Sequence, residues 1–134
     1  MTSAGKPSPR TRITLIFAAY RELLVVEFLL WRGGFAAIHR TIAEFPQTAS
    51  VQDHEPETIC RALDIACVFY FKEVLCLQRS AAAVRLLRKR GIAAELVTGV
   101  QQWPFCAHAW AEVARRVVND KPRVTATFAV IDRC

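Results

Sequence analysis

Three residue types that cooperate in nucleophilic catalysis follow one another in the second half of the chain: Cys76, His108 and Asp120. The thiolate is the reactive form of cysteine, a histidine can accept and return its proton, and a carboxylate can hold the histidine in one tautomer. Cys76 stands where a helical pattern begins, and a helix N-terminus stabilises a thiolate and leaves backbone amides free for an oxyanion. If the fold brings the three residues together, they predict acyl-transfer chemistry.

The elements that must position these residues can be inferred from periodicity. The helix that begins at Cys76 should end at Gly91, and its polar face, expected in solvent, carries Arg79, Arg85, Lys89 and Arg90. Beyond Gly91 the apolar period changes to about two, which predicts strands over 95–100, 107–113, 116–119 and 125–131. His108 lies on the second of these strands. Trp110, on the same side of that strand, is expected to form a wall of the cleft and exclude water.

The first half of the chain predicts helices. Residues 1–12 suggest a flexible tail, residues 13–31 a long apolar helix ended by Gly33 and Gly34, and residues 35–45 a second helix. A loop over 47–57 contains His54, and a further helix should run over 58–70, with Cys60 and Cys67 as buried apolar residues. We predict one α+β domain, in which an N-terminal helical region (13–57) packs on a small antiparallel sheet belonging to a core over 58–134.

Composition excludes several classes of protein. With 53% hydrophobic residues among 134, the chain should bury a core rather than remain disordered. The net charge of +6 is attributed to a solvated helix face, and because no nucleic-acid-binding motif accompanies it, nucleic acid is not an expected partner. Charges inside 13–31 argue against a membrane span and leave open whether this helix packs on the domain, on a partner or on a bilayer surface.

Cysteine usage bears on compartment and cofactors. The five cysteines are odd in number and irregularly spaced, which favours free thiols in a reducing cytoplasm over a disulfide framework. No pair of cysteines has zinc-ligand spacing, so neither a metal nor another cofactor is predicted.

The sequence resembles a known family in several segments that occur in the same order. These are 76–80, 86–92, 94–100 and 107–113, followed by 117–122 and 131–134. Together they resemble the leader peptidase of lasso peptide biosynthesis, and in particular the stand-alone protease half of its split form, with a papain-like or transglutaminase-like fold. The likeness is strongest over residues 72–134. The apolar N-terminal helix also suits that family.

The resemblance implies a cysteine peptidase without a cofactor, in which Cys76 is the nucleophile, His108 the base and acid, and Asp120 the residue that orients His108. It implies a ribosomally made precursor peptide as substrate, cut between leader and core. It also implies a separate leader-recognition protein and an ATP-dependent cyclase that joins the freed core amine to an acidic side chain. An exposed apolar or basic surface would then dock the leader-recognition protein or the leader itself.

One departure from the family pattern concerns the turn between the strands that carry His108 and Asp120. Ala114, Arg115 and Arg116 stand where a tight Asp-Gly type of turn is usual, so we expect a longer turn or one of another type. Asp132 is therefore kept as a second candidate for the third residue of the triad, and Cys106 as a second candidate for the nucleophile. A non-catalytic peptide-binding module and acyl transfer to an amine remain alternative functions. His39, in a helix, has no chemical neighbour in the sequence.

Overall fold

The computed structural model describes residues 6–45 and 55–134. In these ranges it contains helices α1 (Pro9–Glu44), α2 (Pro56–Val68), α3 (Cys76–Lys89) and α4 (Val124–Thr127) and strands β1 (Ala94–Gln101), β2 (Cys106–Val113), β3 (Arg116–Val117) and β4 (Ala129–Arg133). The predicted α+β architecture is confirmed. Most of the predicted loop 47–57, including His54, lies outside the described residues.

Helix α1 begins earlier than predicted and is divided where glycine was expected to end it. The Ser8 hydroxyl accepts the Thr11 amide at 3.2 Å and Pro9 occupies the first turn, so residues 9–12 are helical and do not belong to a tail. Gly34 has φ 65° and ψ −153°, a conformation outside the helical region, and the chain resumes a helix at once up to Glu44. Within the described residues, no helix is long and apolar enough to cross a membrane.

The sheet is antiparallel with the strand order β3-β2-β1-β4. Gly99 of β1 pairs with His108 of β2, and Thr98 of β1 pairs with Asp132 of β4. Helix α3 packs on β1 and β2, and α1 and α2 pack on α3 and on each other. The core between them is made of large apolar side chains that include Leu15, Leu23, Ile38, Ile59, Leu63, Leu86 and Leu96. Cys60 belongs to this core, as predicted, and Cys67 packs half-buried against it.

The predicted strand over 125–131 is wrong in its first half. Residues Val124–Thr127 form one helical turn, in which the Ala126 and Thr127 amides donate to the Arg123 carbonyl at 3.0 and 3.1 Å. These local hydrogen bonds outweigh the strand preference of the threonines, and β4 begins only at Ala129.

The basic face of α3 is not fully solvated, contrary to expectation: Arg85 is buried, Arg79 and Arg90 are half-buried, and Lys89 is exposed. Arg85 donates to Glu22 of α1 at 2.8 Å, and Lys89 reaches the same carboxylate, which is fully buried. Arg88 donates to the Ala94 carbonyl at 2.8 Å and to the Ile42 carbonyl at 2.5 Å. Periodicity could not show this, because α1 covers α3 with its own carboxylate and carbonyl groups as partners for the cations.

Candidate active site

Cys76 is the first residue of α3, as predicted. The first hydrogen bond of this helix runs from the Arg79 amide to the Leu75 carbonyl at 3.0 Å, so the three preceding amides have no acceptor within the helix. Gln78 fixes this end of the helix: its side-chain oxygen accepts the Leu75 amide at 3.2 Å, and its amide group donates to Glu27 of α1. The Cys76 thiol is therefore held at the positive end of an anchored helix.

His108 and Asp120 are joined by a hydrogen bond, with Nε2 lying 2.5 Å from Oδ2. Both side chains are mostly buried. Burial on its own raises the pKa of Asp120, but the hydrogen bond from His108, the Lys121 amide at 2.7 Å and the charge of Arg79 outweigh it, and the pKa lies below its ordinary value of 3.8. Because Asp120 occupies Nε2, the other ring nitrogen of His108, Nδ1, is left to exchange a proton with a nucleophile.

Two aromatic rings support the imidazole of His108, and both belong to a small apolar cluster with Val97 and Val124 that is separate from the helix-side core. Phe128 stacks on it with a centroid distance of 5.1 Å and Trp110 with 6.0 Å. The sequence predicted that Trp110 would form a wall of the cleft. This prediction is wrong, because Trp110 is fully buried behind the imidazole and does not line the cavity. It positions His108 instead of covering it.

Cys76 and His108 line the same cavity, whose volume is about 270 Å³. The other lining residues are Phe35, Leu77, Thr98, Gly99, Ala107, Ala109 and Ile131. A side chain at position 99 would lie 2.9 Å from both the Ala129 carbonyl oxygen and the Trp110 ring, so only glycine fits opposite His108 without displacing its support. Phe35, Thr98 and Ile131 also line a neighbouring cavity of about 610 Å³, so the two cavities adjoin and form a groove beside Cys76. Charged residues, among them Arg40, Glu44 and Asp132, line its larger part.

A buried network that sequence reasoning missed connects α3 to the segment that carries Asp120. Ser80 donates to the Ala109 carbonyl at 2.9 Å, and the Asn119 side chain donates to Ser80 at 3.0 Å while accepting the Ala111 amide at 2.7 Å. Arg79 donates to the Asn119 carbonyl at 2.8 Å. The position of Ser80, one helical turn after Cys76, and that of Asn119, just before Asp120, were the available signals.

The turn between β2 and β3 is tight, contrary to expectation. Val113 pairs with Arg116, so the loop has only two residues, Ala114 and Arg115, with φ of 51° and 64°. Positive φ at both positions is the requirement of a type I′ turn, which here is met without glycine or asparagine. The predicted strand over 116–119 is paired only at Arg116–Val117, and Asp120 lies in the bend that follows, not on a strand.

Neither second candidate, Asp132 for the third residue of the triad or Cys106 for the nucleophile, lies beside His108 in the cavity of Cys76. Asp132 binds His39, with 2.7 Å between Oδ2 and Nε2, and not His108. Cys106 is exposed at the start of β2 and is not among the residues lining the cavity of Cys76. The structure thus brings together Asp120 and His108, with Cys76 on the same cavity.

A cysteine at a helix start shares a cavity with a histidine on a strand, and that histidine binds an aspartate in a bend. This arrangement defines a class of protein, and sequence comparison agrees with it. The profile of the Transglutaminase-like superfamily matches residues 21–133, and the chain belongs to that superfamily. The likeness to that superfamily noted in the sequence is confirmed.

A particular relative is the Microcin J25-processing protein McjB of Escherichia coli, which is 45% identical over 56 residues. The aligned region covers 42% of this chain and 27% of the relative. The chain thus spans about a quarter of the length of the curated relative it matches. No solved structure matches the chain significantly.

Proposed function

We propose that this chain is a cysteine peptidase that removes the leader from a ribosomally made lasso peptide precursor in the cytoplasm. Cys76 would be the nucleophile, His108 the base and acid, and Asp120 the residue that orients His108. The observation that carries the proposal is that His108, which lines the same cavity as Cys76, is hydrogen-bonded to Asp120.

The proposed reaction assigns one role to each of these groups. Nδ1 of His108 takes the thiol proton, the sulfur of Cys76 attacks the scissile carbonyl carbon, and amides at the start of α3 stabilise the oxyanion. The C–N bond then breaks as the imidazolium returns the proton to the leaving amine, which becomes the new N-terminus of the core peptide. Water, deprotonated by His108, hydrolyses the remaining thioester and releases the leader. Asp120 stabilises the imidazolium in both halves of the reaction.

The substrate and partners of the proposal rest on the relative, which is named for processing microcin J25, and on the groove beside Cys76. A separate leader-recognition protein would deliver the precursor, and a lasso cyclase would close the freed core. A stripe of exposed apolar side chains on one face of α1 is available for docking: Ile13, Phe17, Leu24, Phe28 and Trp31. The basic residues of α3 are less available, because the helix is mostly buried.

The test is cleavage of the precursor by the purified chain in the presence of the leader-recognition protein, followed by mass spectrometry. Cys76→Ala and His108→Ala should abolish the cut, whereas Cys106→Ser, which removes an exposed thiol outside the cavity, should retain it. Cleavage at the normal rate by Cys76→Ala would refute the peptidase and favour a non-catalytic binding module.

Acyl transfer to an amine is the second candidate, favoured by membership of the Transglutaminase-like superfamily. The same thioester would then be attacked by an amine in place of water, and the amine would become covalently attached to the acyl group. Adding a labelled primary amine to the reaction separates the two functions, because a peptidase releases a free leader carboxylate and a transferase releases the labelled amide.

A further inference from the structure

A second cluster of reactive side chains lies at the edge of the sheet, outside the triad. His39 comes from the second segment of α1, and Asp132 and Cys134 come from the end of the chain at β4. Their ligand atoms all lie within 4.8 Å of one another, and the His39 and Asp132 atoms are 2.7 Å apart. Asp132 and Cys134 are two positions apart along extended chain, which places both side chains on the same face.

We propose that His39, Asp132 and Cys134 form a binding site for a divalent cation of the zinc type. Imidazole nitrogen, carboxylate oxygen and thiolate sulfur are the ligands that zinc takes in proteins, and three protein ligands leave a fourth position for water. Zinc–ligand bonds of about 2.0 to 2.3 Å require ligand atoms roughly 3.3 to 3.8 Å apart in a tetrahedron. All three atoms lie within 4.8 Å of one another, and the His39 and Asp132 atoms, now 2.7 Å apart, would have to separate to admit the ion. All three side chains are only partly buried, which leaves them room to rotate.

Charge and access favour a cation here. Binding of a divalent ion would displace the proton of the Cys134 thiol, and the ion would then neutralise the Asp132 carboxylate and the Cys134 thiolate together. His39 and Asp132 line the cavity of about 610 Å³, which gives water a route to the open position. A bound ion would tie the second segment of α1 to β4 beside the groove that leads to Cys76, so binding should stabilise the fold.

The experiment uses the full chain, freed of metal, and titrates it with Zn²⁺ alone while the melting temperature is recorded. A parallel titration with Co²⁺ alone reports thiolate coordination by its absorption spectrum. One equivalent should bind and raise the melting temperature. Cys134→Ser and His39→Gln should each weaken Zn²⁺ binding by more than about 100-fold. Loss of a residue that only supports a metal ligand weakens binding by up to about 100-fold, so loss of a ligand itself should cost more.

Cys106→Ser is the matched control, because Cys106 is exposed and lies away from the cluster in the sheet. Cys106 pairs with Gln101 at the end of β1, whereas Asp132 pairs with Thr98. It should bind both ions as the unaltered chain does. The proposal is overturned if the unaltered chain binds Zn²⁺ no better than millimolar, or if Cys134→Ser binds as tightly as the unaltered chain. Should His39→Gln fail to fold by circular dichroism, Asp132→Asn takes its place, with the same loss expected. None of these readouts depends on peptidase activity.

Discussion

Asn119 and Ser80 meet at 3.0 Å between Nδ2 and Oγ, and this hydrogen bond joins the helix that begins at Cys76 to the segment that carries Asp120. Asn119 also accepts the Ala111 amide at 2.7 Å, in place of a strand partner. The two residues therefore set the position of Asp120 relative to Cys76, although neither lines the cavity that contains Cys76 and His108.

Asn119→Ala should therefore reduce kcat for precursor cleavage by about 100-fold, the effect of a misplacement of about 1 Å, with a smaller change in KM. It should also lower the free energy of unfolding by about 1–3 kcal/mol, because the buried Ala111 amide loses its acceptor. Steady-state kinetics and urea denaturation measure the two effects. Thr125→Ala, which removes an exposed local hydrogen bond, is the control and should leave kcat unchanged.

Asp120 should make stability depend on pH in the acid range. Its pKa in the folded chain lies below the ordinary value of 3.8, so its ionised form stabilises the fold above that value, and this contribution is lost as the pH falls through the folded pKa. Asp120→Asn should be less stable than the unaltered chain at pH 7, and the difference should shrink below about pH 4. Urea denaturation at several pH values measures it, and a difference that stays constant down to pH 2 would contradict the pKa shift.

The same variant has an expected effect on catalysis. Asparagine in place of Asp120 has no negative charge to stabilise the charged form of His108, so kcat should fall, by up to about 10⁴-fold. Asp132→Asn removes the partner of His39 instead and should retain most of the activity. A larger loss in Asp132→Asn than in Asp120→Asn would reverse the assignment of the third triad residue.

Glu22→Gln should lower the free energy of unfolding by about 3–5 kcal/mol, because Arg85 and Lys89 would lose the buried carboxylate that neutralises them. Glu57→Gln is the matched control: it breaks an ion pair with Arg116 at the surface and should cost less than about 1 kcal/mol. Chemical denaturation measures both. Equal losses in the two variants would contradict the role of burial.

Arg115→Gly should stabilise the chain by about 1 kcal/mol, because glycine accepts the φ of 64° that costs other residues roughly 1–2 kcal/mol. Arg123→Gly is the control, since Arg123 is also exposed but has φ of −70°, where glycine brings only added freedom to the unfolded chain. Urea denaturation should show opposite signs for the two variants. A loss of stability in Arg115→Gly would mean that the turn has another conformation in solution.

Trp31→Asp should weaken the stimulation of cleavage by the leader-recognition protein by tenfold or more, because Trp31 is 82% exposed within the apolar stripe of α1 and a large aromatic residue is typical of a docking hot spot. Val68→Asp alters an apolar residue on α2 that is similarly exposed and lies outside the stripe. It should leave the stimulation unchanged. Titrating the recognition protein into the cleavage reaction compares the two variants.

Local pattern alone was sufficient for several features. The start of α3 at Cys76, the two strands of the main hairpin and the break at Gly34 follow from short-range periodicity and from glycine, and these are properties of neighbouring residues. The order of Cys76, His108 and Asp120 could also be recognised, because the spacing between motifs is read directly from the sequence.

Only the tertiary structure decided which residues meet. The sequence pattern assigned Arg85 to a solvated face, whereas in the structure Glu22 of α1 contacts it. Asp132 could be distinguished from Asp120 only by the strand pairing, which places Asp132 beside His39. The turn at Ala114 and Arg115 has a conformation that its residues disfavour, because the pairing on both sides of it outweighs the local cost. Contacts between distant segments depend on burial and register, and neither is present in the local sequence.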